Sequence, residues 1–122
     1  MASNKAPDIS KNDGITVITL GPEFENLDEL ELDDLRGDIL DASQSADPPV
    51  VLLDMPHTKF FGSSFIEILF RVWNRMNAQE GGAFAISGLT PYCREVLEVT
   101  HLDQLWGLYD TRDEALAELL KK

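Results

Sequence analysis

Apolar and polar positions fall into short blocks along this 122-residue chain, and the blocks alternate between two periods. Ile15-Thr16-Val17-Ile18-Thr19-Leu20 is β-branched and follows the turn dipeptide Asp13-Gly14. It predicts a strand over 15–20, with a short hairpin partner over 8–11. Val50-Val51-Leu52-Leu53, bounded by prolines, and Ala83-Phe84-Ala85-Ile86, opened by Gly81-Gly82, are continuous apolar runs. Such runs suit strands buried on both faces, over 50–55 and 82–87. A last short strand is expected over 105–109. Between these runs the period changes to that of a helix. Leu32, Leu35 and Ile39 share one face of a helix over about 28–42, with Asn26 and Glu29 as its expected capping box. From 63 to 78, Phe65, Ile66, Ile68, Leu69, Phe70, Val72, Trp73 and Met76 cover more than half of a helix, which should be heavily buried. Ser63 or Ser64 should cap it, Ser64 with Glu67 as a capping box. Thr90-Pro91 opens a helix over 91–99, and Thr111 with Glu114 caps one over 111–120 that turns Ala115, Leu116, Leu119 and Leu120 inward. Strands alternating with helices predict an α/β domain with a largely parallel sheet. Its core should include Val51, Leu53, Ile68, Val72, Phe84 and Ile86.

Charge narrows the functional classes. Ten Lys and Arg against 22 Asp and Glu leave a formal net charge of −12, which disfavours direct nucleic-acid binding. Ten of the acids lie between Glu23 and Asp47 beside the single base Arg36. That block reads as the solvated face of an amphipathic helix, or as a docking surface for a basic partner. No apolar stretch approaches the ~20 residues that span a bilayer, and the first residues lack the apolar core of a signal peptide. The expected location is the cytoplasm. Residues 1–7 are polar and expected to be a flexible tail ahead of one domain over 8–122. One cysteine, Cys93, excludes an internal disulfide framework and reads as an inert, partly buried thiol.

Three constellations could carry chemistry. Asp54 ends a central strand, where α/β sheets place ligands, and resembles the phospho-acceptor of a receiver domain. The acidic pair and the lysine that such a domain needs are missing: Gly21-Pro22-Glu23 and Asp110-Thr111-Arg112 stand in their places. Asp54, His57 and Ser63 lie close enough in sequence to form a hydrolytic triad. There is, however, no Gly-x-Ser-x-Gly elbow and no source of an oxyanion hole. His57 and His101 with the scattered acids give no metal-ligand spacing, so neither metal nor cofactor is expected.

The third is the segment Asp54-Met55-Pro56-His57-Thr58-Lys59-Phe60-Phe61-Gly62-Ser63-Ser64-Phe65, followed by a helix. With Gly81-Gly82, the strand after it, Thr90-Pro91 and Val96 to Leu102, it resembles the STAS domain of bacterial anti-sigma-factor antagonists. The family pattern is a buried strand, an Asp-Leu-Ser-like turn, two or three residues, then Asp-Ser-Ser/Ala-Gly and a helix. The resemblance runs from about Ile15 to Leu120. It implies a single STAS-like domain with a mixed, mostly parallel sheet of four or five strands and about four helices around it. It also implies a non-catalytic regulatory binding protein, monomeric or weakly dimeric, and bound to neither nucleic acid nor membrane. Its partner would be an anti-sigma-factor-like serine kinase with a histidine-kinase-type ATPase fold. That kinase phosphorylates the first serine of the pair, here Ser63, and the expected contact surface is His57, Lys59, Gly62, Ser63, Ser64 and Phe65. Gly62 replaces the family's acid and Phe65 its glycine. A phosphate on Ser63 would sit at a helix N-terminus, where free N–H groups and the dipole stabilise it. The alternatives left open are an unphosphorylated STAS-type binding module, a nucleotide-sensing one, and a receiver-like or small hydrolase domain.

Overall fold

The computed structural model describes residues 6–27 and 32–121. Two strands open the domain, β1 (Asp8–Asn12) and β2 (Ile15–Thr19), paired antiparallel. The turn between them has Asp13 at φ 53° and Gly14 at φ 88°. Two successive left-handed residues match the twist of a hairpin, which is why Asp-Gly sits there. A 3₁₀ turn over Pro22–Phe24 leads into a two-residue strand, β3 (Asn26–Leu27). The chain then alternates: α1 (Leu32–Gln44), β4 (Val50–Asp54), β5 (Phe60–Phe61), α2 (Ser63–Asn77), β6 (Ala83–Ser87), α3 (Pro91–Val99), β7 (Gly107–Tyr109) and α4 (Arg112–Leu120).

The main sheet has the order β1-β2-β4-β6-β7, parallel throughout except for the β1 edge. The fold is thus the single α/β domain that the sequence pattern predicts, with five strands in the main sheet and four α-helices among the described residues.

Side-chain alternation along the strands divides the core in two. Ile18, Val51, Leu53, Phe84 and Ile86 face α1, α2 and α3, where the larger cluster lies. Val17, Leu52 and Ala85 face α4 and pack on Ala115 and Leu119. Burial on both faces is what the continuous apolar runs require. The six expected core residues are all buried. On α2, Phe65, Ile68, Leu69, Val72 and Met76 form one inward stripe at i, i+3, i+4, i+7 and i+11.

Several local expectations are corrected. Asn26 is not a helix cap: it lies in β3, paired parallel with Phe60 of β5. Its expected partner Glu29, like the rest of 28–31, lies outside the described residues. The last strand is shorter than 105–109, because Trp106 drops out of the sheet and is buried edge-on against Phe70 (5.3 Å) and Phe84 (5.8 Å). Leu120, the last residue of α4, is half exposed and not turned inward. Of the expected tail, residues 1–5 lie outside the described residues, and Pro7 is buried. The Thr111–Glu114 capping box forms as predicted.

Candidate functional site

The carboxyl end of β4 is built from hydrogen bonds that leave little to chance. The Leu20 N–H donates to the Asp54 carbonyl (2.9 Å) and the Met55 N–H to the Ser87 carbonyl (3.0 Å), extending the ladder past the strand ends. The Ser87 hydroxyl donates to Asp54 Oδ1 at 2.9 Å in a buried contact. Gly88, at φ 73°, passes so close that a Cβ there would lie 2.8 Å from the same oxygen. Asp54 and Ser87 follow Leu52 and Ala85 on their strands at period two, so both point to the α4 face. Asp54 therefore braces β4 against β6. It points to the opposite side of the sheet from α2, and no hydrogen bond joins His57, which is exposed, to Asp54 or Ser63. Among the described residues, no group of three or more His, Cys, Asp or Glu is placed to hold a metal ion.

The loop 55–62 is pinned from three directions. The buried Thr58 hydroxyl donates to the Phe24 carbonyl at 2.9 Å. The Thr58 carbonyl accepts from the Thr90 hydroxyl (3.0 Å) and from Cys93 Sγ (3.6 Å). Thr90 thus occupies the N-cap position of α3, but its side chain ties the loop instead of capping the helix. The N–H groups of Lys59 and Phe60 converge on the Glu25 carbonyl at 2.7 and 3.2 Å, which sets up the β3–β5 pairing. Lys59 Nζ pairs with Glu25 Oε2 at 2.9 Å, and that hydrogen bond, with the charge of Glu25, raises the lysine pKa. Burial pushes the Cys93 thiol up, so it stays protonated and acts as a weak donor to the loop.

From this platform the chain enters α2. Phe60 and Phe61 alternate, the first exposed and stacked with Tyr92 at 6.3 Å, the second buried. Gly62 is the N-cap, extended at φ −114°, and its carbonyl accepts from the N–H groups of Phe65 and Ile66. Ser63 is the first helical residue and is exposed, while Ser64 is half-buried inside the first turn. Neither serine is the cap, because the extended backbone ends at Gly62. The first turn carries no acid. The remaining correction concerns Phe65. It is fully buried, 5.3 Å from Phe61, and so is no part of an exposed contact surface. Its place in the inward stripe with Ile68, Leu69 and Val72 decides this. His57, Lys59 and Ser63 are exposed, and Gly62 and Ser64 partly so; His57 and Lys59 line one shallow pocket with Pro22, Glu25, Pro56 and Thr90, and exposed Phe60 stacks on exposed Tyr92. The Phe60-Phe61 doublet was the available sequence signal for that aromatic pair, since consecutive strand residues point to opposite sides.

Fold and loop together define a small α/β domain that presents the start of a helix at the carboxyl edge of its sheet. The family model for the STAS domain matches residues 6–115. A solved anti-sigma-factor antagonist (STAS) domain protein from Planctomyces limnophilus is 40% identical, with a TM-score of 0.89 over 94% of this chain and 98% of that one. An anti-sigma factor antagonist from Mycobacterium paratuberculosis is 21% identical, with a TM-score of 0.81 over 98% of each chain. The Bacillus cell fate determinant SpoIIAA, solved in its phosphorylated form, is 19% identical, with a TM-score of 0.68 over 93% of this chain and 99% of that one. No curated protein gives a significant sequence match. The chain belongs to the STAS domain family. Among the described residues, no helix is long and apolar enough to cross a membrane.

Proposed function

We propose that this domain is a regulatory binding protein of the anti-sigma-factor-antagonist type, without catalysis of its own, and that Ser63 is its phosphorylation switch. The observation that carries the reading is the placement of Ser63: exposed, first in α2, on a loop held in one conformation by Glu25, Phe24 and Thr90. A partner kinase can reach the hydroxyl without unfolding anything. The leading N–H groups of a helix and its dipole favour a phosphate there, and no first-turn carboxylate opposes it. The phosphate adds a charge of about −2 to the middle of a contact edge made of His57, Lys59, Gly62 and Ser64, with Phe60 and Tyr92 beside them. The partner of this reading is a serine kinase with a histidine-kinase-type ATPase fold, which binds the unphosphorylated domain. The structural likeness to the phosphorylated form of SpoIIAA supports it. Gly62, where the family pattern carries an acid, alters the edge that such a kinase reads.

The test is binding of purified domain to an ATPase-fold serine kinase captured from the source organism. Wild type and Ser63→Ala should bind alike, and Ser63→Asp should bind at least about tenfold more weakly, less so at high salt. Equal binding by Ser63→Asp overturns the switch and leaves a constitutive binding module.

A further inference from the structure

A second surface lies away from the Ser63 edge. Helices α1 and α2 pack side by side, and the groove between them opens to solvent with a volume of about 990 Å³. Its α1 wall carries Asp33 and Asp41, its α2 wall Arg71 and Arg75, and Leu40 and Ala78 lie between. With Arg36, three of the five arginines in a chain of net charge −12 line this one groove. The opposite charges do not neutralise each other across it. Arg36 pairs with Asp33 on its own helix at 3.0 Å. Neither Arg71 nor Arg75 has a carboxylate partner among the described residues, and Asp41 has no cationic one.

A simple anion would meet the carboxylates of α1, and a basic partner would meet the arginines of α2. A partner carrying a basic ridge beside an acidic one satisfies both walls, and this chain is such a partner. Helices α1 and α2 both cross back between parallel strands, so they run in the same direction. A two-fold axis along the groove lays α1 of each copy over α2 of the other. The patch is therefore self-complementary, which is the requirement for an isologous interface. We propose that the α1–α2 face is a self-association surface, on which Asp33 and Asp41 of one copy face Arg71 and Arg75 of the second. Two helices about 20 Å long and about 10 Å apart offer roughly 400–500 Å² per copy, the size of a weak, transient interface. The dimer should form at about 0.1–1 mM.

Sedimentation equilibrium of the full chain tests this, with circular dichroism to check that each variant is folded. Wild type should dimerise in that range. Arg71→Glu/Arg75→Glu and Asp33→Lys/Asp41→Lys should each weaken self-association by at least about tenfold, and an equal mixture of the two should restore it as a heterodimer. The second variant makes the chain less negative, so relief of overall repulsion would strengthen its association; the proposed pairing weakens it. A monomeric wild type overturns the proposal. So do folded variants that associate like wild type, or a mixture that stays monomeric. Binding of tripolyphosphate by a monomeric wild type, lost in Arg71→Glu/Arg75→Glu, would assign the groove to an anionic ligand instead.

Discussion

Phe65→Ala tests how the switch region is anchored. The ring is wholly enclosed, 5.3 Å from Phe61, and lies two residues beyond Ser63. Truncation removes roughly 150 Å² of buried apolar surface. At about 25 cal/mol per Å² that is about 4 kcal/mol. Losing the aromatic contact adds ~0.5–1 kcal/mol, and partial collapse of the cavity offsets a similar amount. The expected loss is therefore about 4 kcal/mol, a large part of the 5–15 kcal/mol typical of a whole domain (order of magnitude). In equilibrium urea denaturation, with a slope near ~1.3 kcal/mol per M, the midpoint should fall by about 3 M. Should that variant fail to fold, Phe65→Leu should lose about 1–1.5 kcal/mol. A loss below ~1.5 kcal/mol for Phe65→Ala would show that the ring is not enclosed. The claim that α2 begins on a fixed platform would then fall.

Three further outcomes follow from the same geometry. Gly62→Asp should stabilise the fold by ~0.5–1 kcal/mol in urea melts, because the N-cap backbone is extended, a Cβ meets nothing within 4 Å, and a carboxylate suits the dipole; a destabilised variant would contradict the cap assignment. Asp54→Ala and Ser87→Ala should each cost ~1–3 kcal/mol, and the double variant distinctly less than their sum, since each single change leaves the other group buried without its partner; additive losses would refute the brace. Burial holds the Cys93 thiol above its ordinary 9.0, so the unfolded thiol ionises first. The stability this provides is intact below about pH 9 and is lost as pH rises through the folded value, and the difference between wild type and Cys93→Ala should shrink accordingly; a difference unchanged up to about pH 10.5 would argue against a buried thiol.

The strands were legible because a parallel sheet buried on both faces needs unbroken apolar runs, and Val50–Leu53 and Ala83–Ile86 supply them. The α2 helix was legible for the same reason, and its period even held the answer on Phe65, which falls on the stripe of Ile68, Leu69 and Val72. The position of Phe65 at the helix start suggests surface, but its period puts the ring in the core. The caps show the limits of local chemistry. Thr111–Glu114 forms its box, whereas Asn26 is drawn into β3 by pairing with Phe60, and Thr90 turns to the Thr58 carbonyl. Asn26, misread as a cap, and the side chain of Thr90, which keeps its N-cap place, both answer to tertiary partners more than 30 residues away, which no local window contains. The β3–β5 pair was invisible because two-residue strands carry no pattern; they exist through the Glu25 carbonyl and its two donors. The acid at the end of β4 lies where the strand pattern puts it, whereas its partner Ser87 is 33 residues away and beyond any local window.

The most direct test of Ser63 as the switch is mass spectrometry of the protein purified from its native cells under signalling and resting conditions. Trypsin, cutting after Lys59 and Arg71, releases residues 60–71 with both serines. Fragment ions that divide Ser63 from Ser64 locate the phosphate. The account predicts phosphate on Ser63, the exposed first residue of α2, at an occupancy that changes between the two conditions. Phosphate on Ser64 alone, or a peptide unmodified in every condition, would contradict it.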